Sequence, residues 1–287
     1  MHFTSEQRLD GDILERAFTL SDIPGILWTP PSASSPAPVP VILMGQPGGI
    51  GMQRMYPRLA ARAQGVARHG FAAVCVELPG AGDRPRLPDA EQARADLVRA
   101  ISAGRAPSGD VIDRLVLPLV DQAVPEWQAT LDEVLTLPEI GDRVGISGGV
   151  IAVGTRMAAE DSRVVAASLF AGTYVPQAIM EQARDVTIPL HVLLQWDDEN
   201  NDRQMALDLF DAFGSKEKTL YANMGGHTGV PEFAGEDVVR FFARHLSPSQ
   251  PTATSAPDSS GTRDDRRTPP VAPPEVINGS AETETDH

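Results

Sequence analysis

The sequence predicts an α/β protein in which a mostly parallel sheet carries helices on both faces. Two observations lead to this prediction. Short apolar runs of strand length alternate with longer segments whose apolar residues recur at helical spacing. Turns rich in glycine, proline and aspartate separate the two kinds of segment, so each helix can return the chain to start a strand parallel to the last one. The 287 residues suffice for one large domain of this class or two small ones.

The strands are predicted from apolar and β-branched runs that end at turn residues. The clearest run is 39–44, which reads Val-Pro-Val-Ile-Leu-Met and has the continuous apolar character of a strand buried on both faces. Residues 1–12 are polar and are expected to form only a loosely attached lead. Strands are predicted, in order, at 13–20, 26–29, 39–44, 71–78, 143–146, 164–170, 189–195 and 218–222.

The helices are predicted from apolar residues that fall on one side of a segment. Trp127, Leu131 and Leu135 recur every four residues and mark the buried stripe of an amphipathic helix. Gly70 follows another such segment as its C-cap. Helices are predicted at 56–69, 90–103, 125–135, 150–159, 176–184, 204–213 and 237–245.

Two segments fall outside this alternation. The segment 84–121 is longer than a plain strand-to-helix connection and is interpreted as a cap-like elaboration over the cleft that selects substrate, with additional core packing as the alternative. From 247 to 287, proline, serine, threonine and acidic residues dominate, so this tail cannot bury enough apolar surface and is predicted to be disordered. The folded domain is therefore predicted to span 1–246.

Composition narrows the classes of function. With 41% hydrophobic and 22% charged residues, the chain has the ordinary composition of a globular protein. The net charge of −15 argues against binding nucleic acid or an anionic membrane, and a small-molecule substrate is the natural partner. The chain shows neither the pattern of a signal peptide nor a run long enough for a transmembrane helix, so we expect a cytoplasmic protein. A homo-oligomer is compatible with the sequence.

A single cysteine limits both disulfide and metal chemistry. Cys75 has no partner within the chain, so no intrachain disulfide can form. It lies in an apolar run, where a buried and inert thiol is expected. No group of histidines and cysteines has the spacing of a metal site, so we expect neither a metal nor another cofactor.

The pentapeptide Gly145-Ile146-Ser147-Gly148-Gly149 is a G-x-S-x-G motif between a predicted strand and a predicted helix. This context is typical of a nucleophile elbow, in which a sharp turn presents the serine to a cleft. The flanking glycines permit strained backbone angles and leave no Cβ between strand and helix. The alternative is a plain glycine-rich turn, so the motif needs partners elsewhere in the chain.

Such partners follow in the loops after later strands. An acidic loop at 196–202 and a histidine loop at 224–231 give the order Ser147, acid, His227, which is one of the known triad orders. The carboxyl ends of parallel strands share one edge of the sheet, so these loops should meet there. His191 lies inside an apolar run and is expected to be structural.

The sequence resembles the α/β-hydrolase superfamily, and most of all its dienelactone-hydrolase-like and esterase-like bacterial branch. The resemblance spans roughly residues 13–246 and implies the α/β-hydrolase fold and a catalytic triad that needs no cofactor. It rests on five motifs: GQPGG at 45–49, ELPGAGD at 77–83, GISGG at 145–149, WDDEN at 196–200 and GGHTGVP at 225–231.

The resemblance also implies roles for individual residues. Ser147 would be the nucleophile, and His227 would be the general base that removes its proton and later protonates the leaving group. Asp198 would orient the imidazole, and it is preferred over Asp197, with Glu199 third, because the acid commonly sits just before a short polar turn.

The loop at 45–51 and the elbow would together form the oxyanion hole. Pro47 has no N–H to donate, so the N–H groups of Gly48 and Gly148 are the expected donors. A plain tight turn is the alternative interpretation of the loop.

The predicted function is that of a serine hydrolase, cleaving a carboxylic ester, thioester or related acyl bond through an acyl-enzyme. Two features motivate an alternative: Gln46-Pro47 stands where relatives often show His-Gly, and the strand before the elbow is short. The alternative is a non-hydrolytic enzyme of the same fold, such as a cyclase, a decarboxylase or a carbon–carbon lyase. A non-catalytic ligand-binding protein is the third hypothesis.

Overall fold

The computed structural model of the chain describes residues 1–34, 37–172, 174–199 and 201–247. Nine strands form one sheet in the order β1-β2-β3-β5-β4-β6-β7-β8-β9. The strands are β1 (His2–Leu9), β2 (Ile13–Leu20), β3 (Ile23–Thr29), β4 (Val39–Gly45), β5 (Ala72–Val76), β6 (Ile140–Gly148), β7 (Val164–Phe170), β8 (Leu190–Gln195) and β9 (Lys218–Asn223).

Seven α-helices accompany these strands in the described part of the chain. None of them is both long enough and apolar enough to span a membrane. The helices are α1 (Met52–Ala67), α2 (Pro88–Ser102), α3 (Gly109–Val134), α4 (Ile151–Glu160), α5 (Gln177–Gln182), α6 (Arg203–Ala212) and α7 (Phe233–Leu246).

The sheet is mostly parallel, as predicted. The strands β5, β4, β6, β7, β8 and β9 pair in parallel, while β1, β2 and β3 add an antiparallel extension on the β5 side. Parallel pairing places the carboxyl ends of β4, β6, β8 and β9 at the same edge. The loops that carry the candidate site residues follow those four strands.

Apolar side chains cover both faces of the sheet. On one face, α3 and α4 cover a core that includes Leu131, Val144 and Ile146. On the other face, α1 and α7 cover a smaller core that includes Leu59 and Phe242. Burial on both sides explains why the central strands read as continuous apolar runs.

The N-terminal prediction was wrong, because residues 1–12 are not a loose lead. β1 pairs antiparallel with β2 in a hairpin, with His2 opposite Thr19 and Leu9 opposite Ile13. The turn uses Gly11 at φ +80° and Asp12 at φ +59°. The pair Asp10-Gly11 is typical of a hairpin turn. The prediction failed because it gave more weight to the polar composition of this edge strand than to the turn residues.

The segments 111–120 and 125–135 form one helix, so the prediction of a helix beginning at Pro125 was wrong. α3 runs for 26 residues through Pro118 and Pro125. Its buried stripe continues without a break from Ile112 to Val134. This packing outweighs the lost hydrogen bonds at the two prolines. The cap-like role of 84–121 stays a prediction.

The strand before the elbow is longer than predicted. β6 has nine residues and starts at Ile140, before the polar pair Asp142-Arg143. Arg143 is tolerated there because its guanidinium donates to the carbonyl oxygen of His245 at 2.7 Å, at the end of α7. A distant helix terminus thus accepts one hydrogen bond from a polar residue inside a central strand, although the buried Nε of Arg143 has no partner within the described residues.

The other predicted strands and helices are present, with ends that differ by up to four residues. The 164–170 strand matches β7, and the short helix α5 is followed by one turn of 3₁₀ helix at Ala183–Asp185. Cys75 is fully buried, as expected, and burial raises its thiol pKa to about 12. Beyond Ser247, the segment predicted to be disordered lies outside the described residues.

Candidate active site

The candidate nucleophile lies at the carboxyl end of the central strand. Ser147 is the penultimate residue of β6 and pairs with Met44 of β4 and Ser168 of β7. It is buried, with 7% of its surface exposed. α4 starts four residues later, at Ile151.

Two glycines, rather than the serine, adopt the unusual backbone of the elbow. Gly148 has φ +65° and Gly149 has φ +85°, whereas the only non-glycine residues with positive φ in the described ranges are Asp12 and Ser21. A Cβ on Gly149 would lie 2.6 Å from the Cα of Gly45. The ends of β4 and β6 therefore approach so closely that only glycine fits.

Asp198 and His227 form a hydrogen-bonded pair. His227 Nδ1 and Asp198 Oδ2 are 2.7 Å apart. The Asp198 side chain is 1% exposed and that of His227 is 42% exposed. In the neutral imidazole, donation from Nδ1–H to a carboxylate makes Nε2 the acceptor nitrogen, which can act as a base. Of the three carboxylates considered from the sequence, Asp198 is the one in contact with the histidine.

Aromatic packing holds the imidazole from a second side. The ring of Phe170, at the end of β7, lies edge-on to His227 with centroids 5.5 Å apart. Gly172 lies beside the same ring, since a Cβ there would be 3.2 Å from His227 Cε1. The loop after β7 thus contributes to the position of His227, which sequence reasoning had not foreseen.

The structure does not join the serine to the histidine. Within the described residues, Ser147 Oγ makes no hydrogen bond to His227. Its partner is Arg62 of α1, whose Nη2 donates to Ser147 Oγ at 3.2 Å. Catalytic hydrogen bonds are often long or unformed in free enzymes and tighten when substrate binds.

Arg62 binds the ends of two strands at once. Its Nη2 donates to the carbonyl oxygen of Ser147 at 2.7 Å, and its Nη1 donates to the carbonyl oxygen of Gly45 at 3.0 Å. Burial lowers the pKa of its guanidinium. In the sequence, Arg62 follows the buried Leu59 by three residues and precedes the buried Val66 by four. An arginine on the apolar side of a predicted helix was the available signal.

The loop after β4 lies next to the segment 84–121. A Cβ on Gly48 would lie 3.5 Å from Leu119 Cδ2 of α3. A Cβ on Gly49, which has φ +75°, would lie 3.0 Å from Arg94 Nη2 of α2. Side chains of both helices therefore reach the loop that contains the expected oxyanion donor Gly48.

Two of the sequence motifs meet through a buried pair. Gln46 Nε2 donates to Glu77 Oε1 at 2.8 Å. The backbone N–H of Met52, at the start of α1, donates to both Glu77 oxygens at 2.9 and 3.0 Å. A carboxylate at a helix N-terminus is favourably placed because the exposed N–H groups carry partial positive charge. Glu77, a charge at the end of an apolar run, was the signal for this contact.

No group of three or more histidine, cysteine, aspartate or glutamate side chains in the described ranges could hold a metal ion. The geometry thus consists of a carboxylate–imidazole pair, a serine bound to an arginine, and glycine-rich turns at one sheet edge. Such a set can carry proton transfer and nucleophilic attack by a hydroxyl.

Comparison with known proteins adds to this geometry at the level of the fold. No family model and no curated protein matches the sequence. A cold-adapted esterase from an Arctic intertidal metagenomic library has a similar structure, with 24% identity and a TM-score of 0.66 over 86% of this chain and 100% of that one.

Two further solved structures are more distant. The 2,6-dihydroxy-pseudo-oxynicotine hydrolase is 12% identical, with a TM-score of 0.55 over 83% of this chain and 69% of its own. An esterase from Pyrococcus furiosus is 10% identical, with a TM-score of 0.54 over 85% and 93%. The parallel sheet, its helices and these likenesses identify the α/β-hydrolase fold that the motifs predicted.

Proposed function

We propose that this protein is a serine hydrolase that cleaves a carboxylic ester, thioester or related acyl bond of a small molecule. The observation that carries the proposal is the 2.7 Å contact between Asp198 and His227, at the sheet edge where β6 ends one residue after Ser147. The serine, acid and histidine follow one another in the order of an α/β-hydrolase triad. Solved structures of the same fold include esterases.

In the first half of the proposed reaction, Ser147 Oγ attacks the acyl carbon while His227 Nε2 takes its proton. The carbonyl electron pair moves to oxygen and forms a tetrahedral oxyanion. Its collapse breaks the bond to the leaving group, which takes the proton from His227. Asp198 stabilises the imidazolium that exists between these steps, because its carboxylate already accepts from Nδ1.

In the second half, a water molecule gives a proton to His227 Nε2 and attacks the acyl-enzyme. The Ser147 Oγ–acyl bond then breaks, and Oγ recovers the proton from the histidine. Both halves require Ser147 Oγ to approach His227 more closely than in the free protein. A movement of the 224–231 loop would achieve this, and the 42% exposure of His227 leaves it room to move.

The backbone N–H groups of Gly48 and Gly148 are the proposed oxyanion donors. Loss of one such donor typically costs a factor of about 10² to 10³ in kcat. The proximity of Leu119 to Gly48 and of Arg94 to Gly49 supports a role of the 84–121 segment in substrate selection. A substrate carbonyl held by Gly48 would lie next to these two side chains.

The test is labelling with a fluorophosphonate, located by mass spectrometry. We expect an adduct on Ser147 of the wild type, none on Ser147→Ala, and a large loss of labelling rate for His227→Ala and Asp198→Asn. Asp197→Asn is the matched control, since it changes the adjacent carboxylate and should keep the wild-type rate. A folded wild type without adduct would refute the proposal.

The alternative of a non-hydrolytic enzyme has lost much of its motivation. β6 is nine residues long rather than short, and Gln46 has a structural role in its bond to Glu77. Turnover in ¹⁸O-water separates the two candidates, because only hydrolysis places ¹⁸O in an acid product. The cytoplasmic location, the absence of a nucleic-acid partner, the absence of a cofactor and a homo-oligomeric state all stay predictions.

A further inference from the structure

We propose that Arg62 is a further catalytic residue of this site, whose guanidinium stabilises the negative charge that forms on Ser147 Oγ during acyl transfer. The inference rests on the proposed function, since it assigns Arg62 a part in the same reaction. It starts from the contact of Arg62 Nη2 with Ser147 Oγ at 3.2 Å.

The guanidinium is held in place by two further bonds. Its donation to the carbonyl oxygens of Ser147, at 2.7 Å, and Gly45, at 3.0 Å, uses both terminal nitrogens. A planar guanidinium fixed at two points keeps the second N–H of Nη2 in a defined direction. The third contact, to Oγ, is therefore preorganised and does not depend on a mobile side chain.

The charge of Arg62, like that of the part-buried Arg143, is not neutralised by a carboxylate of the described residues. No Asp or Glu oxygen of the described residues lies within 4.0 Å of its nitrogens. Other part-buried arginines have such partners, as in the pairs Arg84–Glu126 and Arg163–Asp161. A poorly solvated cation with only neutral partners exerts a stronger field on a neighbouring atom than a paired one.

This field acts on the atom whose charge changes in the reaction. When Oγ gives its proton to His227 and attacks, negative charge develops on it before the bond to carbon is complete. When the acyl-enzyme is hydrolysed, the Oγ–carbon bond breaks and the electron pair returns to Oγ until His227 reprotonates it. A positive hydrogen-bond donor at Oγ stabilises both steps, because donors to charged groups bind more strongly than donors to neutral ones.

A structural role alone is the competing explanation. Arg62 also ties the end of β4 to the end of β6, so its loss could loosen the elbow. The two roles differ in what they affect: loosening lowers thermal stability and raises KM, whereas lost charge stabilisation lowers acylation and deacylation rates at an unchanged KM.

The experiment compares Arg62→Lys, Arg62→Met and Arg62→Ala with the wild type. Arg58→Met is the matched control, because Arg58 is an exposed arginine one turn earlier in α1. p-Nitrophenyl acetate gives acylation from the burst phase and deacylation from the steady state. The fluorophosphonate labelling rate of Ser147 gives nucleophile reactivity independently, and Tm reports folding.

We expect Arg62→Met to lower both ester rates and the labelling rate about 10- to 100-fold, the range for loss of a hydrogen bond to a charged group. Arg62→Lys should recover part of this, since it keeps the charge without the planar fork. Arg58→Met should match the wild type. In Arg62→Ala, millimolar methylguanidinium should restore labelling, and this carries the test if the Met variant fails to fold.

The outcomes separate the two proposals. If wild-type Ser147 is labelled and the folded Arg62 variants react at the wild-type rate, the role of Arg62 is overturned and the serine hydrolase stands. A raised KM with unchanged rates, and no rescue by methylguanidinium, would likewise reduce Arg62 to a structural residue. If the folded wild type itself is not labelled, both proposals fail together.

Discussion

The substitution Gly149→Ala tests the central geometric feature of the site, the close approach of β4 and β6 at the elbow. Gly149 has φ +85°, where a Cβ costs roughly 1–2 kcal/mol. The added Cβ would also lie 2.6 Å from the Cα of Gly45 and 3.0 Å from its carbonyl carbon. Both contacts are with backbone, so no rotamer change can relieve them, and overpacking of this kind costs about 1–3 kcal/mol.

The two contributions together predict a loss of roughly 2–5 kcal/mol in the free energy of unfolding for Gly149→Ala. Substitutions of two other glycines distinguish the backbone contribution from the packing contribution. Gly104 has φ +65° but no heavy atom within 4 Å of an added Cβ, so Gly104→Ala should lose only about 1–2 kcal/mol. Gly65 lies inside α1 with open space around it, so Gly65→Ala should gain about 0.5–1 kcal/mol.

Urea unfolding followed by circular dichroism measures the free energy of unfolding of all three variants. Their midpoints can be compared directly when their m values are similar. The Ser147 labelling rate should also fall in Gly149→Ala, because the elbow must open to accept the methyl group. If Gly149→Ala lost no more stability than Gly104→Ala, the close approach of the two strand ends would be refuted.

Three further predictions concern stability, pH and substrate choice. Burial lowers the pKa of His191, and the nearby charge of Asp237 opposes this effect only in part. Below the ordinary histidine pKa, the imidazole is therefore protonated more readily in the unfolded chain than in the folded protein. The free energy of unfolding should therefore fall as the pH drops from 7 to 5, and its dependence on pH should be weaker in His191→Asn. An equally strong pH dependence in this variant would show that His191 is not the responsible group. Glu77→Gln removes the charge that accepts from Met52 N–H and should cost about 1–2 kcal/mol in urea unfolding, with an unchanged midpoint as the contrary result. Arg94→Ala should leave Tm unchanged and raise KM about tenfold for esters that carry a carboxylate near the acyl group. The KM of neutral esters should stay the same. An equal change in KM for both kinds of ester would count against a role of Arg94 in substrate selection.

The order of the site residues is a property of the sequence itself. The G-x-S-x-G motif lies at the end of one strand, and the acidic turn and the histidine loop follow two others. The parallel pairing of these strands brings their ends to one edge of the sheet. Local signals suffice for these features because glycine, proline and strand-length apolar runs act on the backbone near themselves. The fold class and the Asp198–His227 pair could therefore be predicted from the sequence.

The contacts that hold the site come from residues far apart in the chain. Arg62 and Ser147 are separated by 85 positions, and Gln46 and Glu77 by 31. Nothing near Arg62 in the sequence shows that its guanidinium will bind a serine on β6. The same holds for the polar start of β6, because Arg143 donates to a carbonyl oxygen of α7 that lies 102 positions further along the chain.

Periodicity and turn residues thus determined the α/β class, most element positions and the candidates for acid, base and nucleophile. The tertiary structure decided what each candidate touches. In the structure, His227 contacts the carboxylate of Asp198, and Ser147 Oγ accepts a hydrogen bond from Arg62. Gly148 and Gly149 have positive φ angles, whereas the serine does not. Hydrogen-bond partners and close approaches depend on how helices lie against the sheet, and that packing is set by the whole core rather than by any local stretch of sequence.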